Sequence, residues 1–472
     1  MLSRLRERET SYRGGRRIAH EVESERNRSL QLSSSRIFLC EDAFSGNGCS
    51  VMDLDPVEGR YLLAGGTDGT LCAFDVVSHY CSWGSGPQHE HKHLFRVPPC
   101  PPRVAAEAQR EPRHAGHRGS VTSLQWYPVD TGLFLSAAKD KSVRLTDANE
   151  LATVCSSRQD FEINCVAMPR TASGHCLIAI AARNPVIRVW DPRSNCITLN
   201  FAGHLGKEVT SLTWSSSSEW MLISGGSCGQ IRLWDVRKAN ALLALDQYNT
   251  KSYSEGLTPL PDVEHLREKS GRTPHVEDVL YNKFNRNLQD WVNSKKLVKK
   301  IAESKRNDTA TAHNSSVRLL LTSPDGLFLY SAAHRMSEMR KWDLSSGKNT
   351  LVHFELPTAG LKSLNSAALD GGNHIFVPHK TSIFDLDANT GKRYRKMNGH
   401  YDLVTGCVYN QFYGEVYTSS LDGNILLWEA EVLKSSTEGA SAGEGQGNRE
   451  GGENRDNAQN EDDWTTDEEN EG

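Results

Sequence analysis

The eleven cysteines of this 472-residue chain form no CxxC pair and are scattered along its length. That argues against a zinc site and against a disulfide framework, and fits the reduced thiols of the cytosol or nucleus. No apolar run approaches the roughly 18–20 residues a membrane span requires. The opening Met-Leu-Ser-Arg-Leu-Arg-Glu-Arg puts charges where a signal peptide needs an apolar core. A soluble, intracellular protein without a membrane partner is expected. A concentrated basic stripe is also lacking. The formal net charge is −5, yet residues 438–472 hold twelve acidic and two basic residues, leaving about +5 on the other 437. A mildly basic body with an acidic tail is not the footprint of a nucleic-acid binder, so no direct nucleic-acid contact is expected. Nucleophile–base pairs, phosphate loops and paired carboxylates are likewise missing. Neither an enzyme nor a cofactor is expected. The one ligand-like cluster, His89, His91 and His93, has no apparent fourth ligand nearby and is read as exposed loop, so no metal is expected.

What the chain does contain is a repeat. Ile187–Arg193 reads IRVWDPR and Ile231–Arg237 reads IRLWDVR, 44 residues apart. Weaker copies end at Asp75, Asp147, Asp343, Asp385 and Glu429, giving successive steps of 72, 44, 44, 108, 42 and 44 residues. WD repeats run about 40–45 residues per four-stranded blade. The two long steps are one period plus insertions of roughly 28 and 65 residues. Seven copies predict an all-β, seven-bladed WD-repeat propeller over residues 36–430, with insertions at about 79–113 and 247–312.

Further landmarks agree. Gly-His pairs stand at Gly116-His117, Gly203-His204 and Gly399-His400, and His313 is a weaker fourth. In WD blades a His, a turn Asp, a Ser or Thr and the Trp share hydrogen bonds. His400, Thr418, Asp422 and Trp428 supply that set in blade seven. His204, Ser224 and Trp234 supply most of it in blade four, where Cys228 replaces the Asp. Buried polar groups persist only when paired, so these histidines are read as structural. A ring of sheets must also close its edges. The last repeat stops at its third strand, and Arg36–Cys40 (RIFLC) is predicted to be the outer strand of blade seven.

Strand order gives direction. If the Gly-His loops mark the top of the ring, third strands run downward and Arg193 and Arg237 emerge at the bottom. The strand at Arg36–Cys40 runs upward, so residues 1–35 also arrive from below. Leu2 and Leu5 lie three apart, Ile18 and Val22 four apart, around Gly14-Gly15, which reads as a helix-loop-helix. Such short helices are marginal alone and would fold on a partner. Residues 98–115 and 247–312 are placed in top-face loops. In the second, Val276, Val279, Leu280, Phe284, Leu288, Trp291 and Val292 recur at helical spacing. Residues 431–472, with Trp464 near their end, read as a disordered acidic tail.

With the blades placed, the chain resembles the Cockayne syndrome A family of WD-repeat proteins over nearly all of residues 1–430. The markers are DLDPVEGRYLLAGGTDG (Asp53–Gly69), LQWYPVDTGLFLSAAKDKSVRLTD (Leu124–Asp147), HCLIAIAAR (His175–Arg183), GQIRLWDVRKA (Gly229–Ala239) and GHYDLVTGCVYN (Gly399–Asn410). The acidic, Trp-containing terminus adds to them. Thr146, where a blade Trp is usual, and the long second insertion are departures. The resemblance implies a nuclear substrate receptor of a cullin 4–RING ubiquitin ligase in transcription-coupled nucleotide excision repair. It implies docking on the damage-specific DNA-binding protein 1 adaptor through Leu2, Leu5, Ile18 and Val22, supported by Arg237 and Arg193. The opposite face would recruit the Cockayne syndrome B translocase and the RNA polymerase II repair complex. Arg118, Lys139, Arg183, Lys207 and Tyr401 are its candidate contacts. A generic WD scaffold binding histones or peptides is the alternative reading.

Overall fold

The computed structural model describes residues 26–39, 44, 47–77, 89–90, 93–100, 114–129, 131–170, 174–249, 311–334, 338–357, 366–371 and 373–430. Leu2, Leu5, Ile18 and Val22, the helical pattern at 276–292 and the tail from 431 lie outside them.

Seven largely antiparallel sheets form a seven-bladed propeller, as expected. Blade one comprises Cys49–Leu54, Tyr61–Gly66, Leu71–Asp75 and Phe95–Val97. Blade two comprises Val121–Trp126, Leu133–Ala138, Ser142–Asp147 and Ala152–Arg158. In blade three the strands are Ile163–Ala167, Ile178–Ala182, Val186–Asp191 and Cys196–Ala202. Blade four has Val209–Trp214, Met221–Gly226, Ile231–Asp235 and Asn240–Ala244. Blade five has Val317–Thr322, Phe328–Ala333, Met339–Asp343 and Lys348–Asn349. Blade six has Ala368–Leu369, His374–His379, Ser382–Asp387 and Arg393–Asn398. Blade seven has Val404–Asn410, Glu415–Ser420 and Asn424–Ala430. The first strands line a central channel of about 670 Å3.

Position within a blade explains each strand's composition. Second strands are pressed between neighbouring blades on both faces, so Ile178–Ala182 (IAIAA) is apolar and buried throughout. Outer strands have one wet face, and Cys196–Ala202 (CITLNFA) alternates between exposed positions and half-buried or buried ones. Trp190, Trp234 and Trp342 are fully buried between blades. Gln125, buried on the first strand of blade two, exchanges two hydrogen bonds with the backbone of Met168, at 2.8 and 2.9 Å.

The ring closes as predicted. Leu30–Leu39 pairs antiparallel with Asn424–Ala430, from Leu30 opposite Ala430 to Leu39 opposite Asn424. It begins six residues earlier than Arg36–Cys40 suggests, because a register shift between Leu32 and Ile37 separates two paired stretches. His89–Glu90 then adds a short parallel fifth strand, opposite Arg36 and Ile37. This corrects the reading of the first insertion. The outer strand of blade one is Phe95–Val97, so residues 78–92 interrupt the blade between its third and fourth strands. Pro98 and Cys100 lie against Gly116 and His117, at the end where the loop of residues 98–115 is expected.

Candidate functional site

The buried His–Ser/Thr–Trp sets are built as the residue pattern suggests. In blade seven, His400 shares hydrogen bonds with the Thr418 hydroxyl (2.9 Å) and the Asp422 carboxylate (3.0 Å), and the Trp428 indole donates to Thr418 (3.0 Å). In blade four, His204 meets Ser224 at 2.7 Å, and the Trp234 indole donates to the same hydroxyl at 2.7 Å. Cys228 stands 4.0 Å from His204 Nδ1, where blades two and seven place Asp. Blade two has His117 bonded to Ser136 (2.8 Å) and Asp140 (3.1 Å). Thr146 supplies no indole there; instead buried Arg144 donates to the carbonyls of Ala115 (2.7 Å) and Gly116 (3.1 Å), steadying the loop before the histidine.

Blade five holds a set the sequence reading missed. His313 meets Ser331 at 2.7 Å and Trp342 donates to Ser331 at 2.8 Å. Ser331 precedes its Trp by eleven residues rather than ten, and Glu338 lies 3.7 Å from the histidine in place of an Asp. In blade one, Phe44 takes the histidine's place: a Cβ at Gly66 would meet its ring, as one at Gly226 would meet His204. Electrostatics agree with structural roles. Burial, helped by the charge of Arg232, pushes His204 down to about 3. Burial also lowers His313. Burial alone would raise Asp140 and Asp422, but hydrogen bonds from His117 and His400 respectively hold both below the usual carboxylate range.

These sets fix the two ends of the ring and hence the surfaces presented there. At the bottom, the third-to-fourth-strand hairpins carry Arg193 and Arg237. Arg237 lies over the Trp220 ring (5.7 Å) and pairs with Asp235 (3.3 Å), while the His175 ring sits 4.3 Å from Trp220. The Arg193 side chain is exposed and has no ion pair among the described residues; its backbone N–H caps Asp191 at 3.0 Å. Residues 26–29 arrive at the same end, beside the turn after Asn410, where Arg26 donates to the Tyr413 carbonyl. Val57, Val129, Leu327 and Phe412 are exposed there too, each in a first-to-second-strand turn. They went unnoticed because a lone apolar residue in a turn has no periodicity to mark it.

At the top, Arg118 and Tyr401 each follow a network histidine, and their backbone N–H groups donate to Asp140 (3.0 Å) and Asp422 (3.1 Å). Both side chains are exposed, Tyr401 by 91%. Lys139 and Lys207 are exposed on the same end. Arg183 is engaged within the molecule, with Glu162 at 2.9 Å and Glu208 at 3.6 Å. Among the described residues no group of three or more His, Cys, Asp or Glu is placed to hold a metal, and no helix is long and apolar enough to cross a membrane.

Known proteins share this pattern. The WD domain, G-beta repeat model matches residues 110–147, 195–235 and 391–429, spans that contain the His–Ser/Thr sets of blades two, four and seven. WD40 propellers are generally non-catalytic scaffolds, and no enzyme family is indicated. The "WD repeat-containing protein ATCSA-1" of Arabidopsis thaliana is 32% identical over 450 residues, covering 91% of this chain and 95% of that protein. "WD repeat-containing protein 25" of Mus musculus is 22% identical over 66% of this chain and 56% of its own length. "Radiation-sensitive protein 28" of Saccharomyces cerevisiae is 23% identical over 29% of this chain and 28% of its own. A 32% identity spanning both chains almost end to end means that this WD-repeat propeller belongs to the family of ATCSA-1.

Proposed function

We propose that this protein is the substrate-recognition subunit of a cullin 4–RING ubiquitin ligase, docked on the damage-specific DNA-binding protein 1 adaptor. It would act in the nucleus, in transcription-coupled nucleotide excision repair of ultraviolet-type damage. The observation that carries this reading is convergence at the bottom of the ring. Residues 26–29, Arg193, the Arg237–Trp220–His175 stack and the exposed Val57, Val129, Leu327 and Phe412 all lie at that end. An aromatic–arginine stack, with exposed apolar side chains in turns at the same end, supplies the residue types of a protein-binding hot spot. Membership of the ATCSA-1 family supports the reading further. The opposite end, with Arg118, Lys139, Lys207 and Tyr401, is left to recruit the Cockayne syndrome B translocase and the RNA polymerase II repair complex.

Deleting residues 1–25 tests the scheme. The cut falls before Arg26 because Asn27 and Leu30 are part of the fold. The truncated chain is expected to lose co-purification with the adaptor while keeping its thermal transition. Equal adaptor recovery would overturn the proposal. Lys139→Glu, at the other end, should leave adaptor recovery intact and impair recovery of transcription after ultraviolet irradiation.

A further inference from the structure

Arg395 lies on the outer strand of blade six and reaches across the seam to the chain entering blade seven. Its Nη1 donates to the carbonyls of Leu30 (2.5 Å) and Arg28 (3.2 Å), and its Nη2 donates to the carbonyl of Asn27. Residues 26–28 are helical, so two of these carbonyls lie at a helix C-terminus. Such carbonyls have no intrahelical partner, and the guanidinium supplies one. The guanidinium is held in turn. Its Nε donates to Asp385 (3.1 Å), a wholly buried carboxylate that also meets His374 Nδ1 at 2.7 Å.

Asn27 is wholly buried as well. Its Nδ2 donates to Asp370 (2.7 Å) and its Oδ1 accepts from the Tyr409 hydroxyl (3.4 Å). Asp370 is fixed by backbone N–H groups of Asn373 (2.8 Å) and His374 (2.7 Å). On the outer side, Arg28 lies over the Tyr394 ring (5.2 Å), which stacks on His374 (4.7 Å).

A strand that only closes a ring needs its backbone ladder and nothing more. Here the ladder with Asn424–Ala430 starts at Leu30, and the polar junction grips the residues before it. Burying a carboxylate and a carboxamide, and half-burying a guanidinium, carries a desolvation cost that hydrogen bonding must offset. The junction therefore does something the ladder does not: it fixes the direction in which the chain leaves the ring toward its N-terminus.

We infer that Arg395 and Asn27 are positioning residues that aim the N-terminal arm, so that arm and bottom face address one partner together. The partner's identity rests on the docking reading above; the fixing of the arm does not. A preset arm raises apparent affinity by raising the binding-competent fraction.

The test uses the full-length chain with Asn27→Ala and Arg395→Met, and Ser331→Ala in blade five as a destabilised control remote from the junction. Hydrogen exchange by mass spectrometry is read over residues 26–32 and 424–430, and equilibrium affinity is measured against purified adaptor. Both junction variants should speed exchange over 26–32 at least tenfold more than the control does, with 424–430 unchanged, and weaken adaptor binding about tenfold. If Arg395→Met does not fold, Asn27→Ala decides. Exchange over 26–32 no faster than in the control would overturn the inference, as would loosened residues with unaltered affinity. Should the unmodified chain itself not bind the adaptor, the docking reading fails, while exchange still decides whether the junction fixes the arm.

Discussion

His204 is fully buried with one ring nitrogen served by Ser224, while its other faces the Cys228 sulfur at 4.0 Å. Blades two and seven put a carboxylate there, and Asp140 and Asp422 are held ionised by it. Cys228→Asp should therefore supply the missing acceptor and stabilise the fold by about 1 kcal/mol in urea unfolding, the usual gain from restoring a consensus residue. Ser224→Ala should cost about 1–3 kcal/mol, because His204 and Trp234 lose their common partner while remaining buried. The same histidine makes stability depend on pH. Its unfolded imidazole takes a proton near 6.5, but the folded one resists protonation down to about 3. Stability is thus complete above that unfolded value and falls as pH drops through the window between them, by up to ~1.4 kcal/mol per pH unit. Asp140 and Asp422 add losses at lower pH, since their folded pKa values are depressed and their contribution goes as they protonate. Urea midpoints at pH 7.5 and 5 should differ in the native chain and differ less in Cys228→Asp. Equal differences would contradict the assignment.

At the scale of strands and hairpins, legibility followed burial. Second and third strands announced themselves because both faces are covered: Leu71–Asp75 and Ile231–Asp235 are apolar and buried almost throughout. Outer strands have one dry face and little to distinguish them, so Phe95–Val97, three residues long, was hidden inside an insertion. The set in blade five escaped because one extra residue between Ser331 and Trp342 broke the ten-residue spacing. The junction at Asn27 and Arg395 was invisible for another reason: its members are 368 residues apart, and no local pattern predicts such a pairing. In the hairpin after Asp235, Arg237 pairs with Asp235 yet keeps 58% of its side chain exposed over Trp220. An exposed pair of this kind contributes little to stability. Arg237→Ala should leave the urea midpoint in place and weaken adaptor binding by roughly 1–3 kcal/mol, measured by titration calorimetry. A loss of stability with unchanged binding would mark it as a local ion pair.

The propeller as a whole depends on its seam. Seven sheets were countable from the spacing of WD-like ends, and so was the need for a closing strand. What spacing alone does not reveal is the second layer of that closure, His89–Glu90 laid along Arg36 and Ile37. Removing residues 1–39 should strip Asn424–Ala430 of its partner and cause aggregation in size-exclusion chromatography. The chain lacking only 1–25 should elute as the intact one does. The pairing of Leu30–Leu39 with Asn424–Ala430 also has a temporal side. The first of these leaves the ribosome well before the second, which is among the last of the ring. At translation rates of about 5–20 residues per second, the early strand waits on the order of 20–80 s for its mate. Throughout that interval the nascent polypeptide carries an unsatisfied sheet edge, and a message that stops short of residue 424 leaves it orphaned for good.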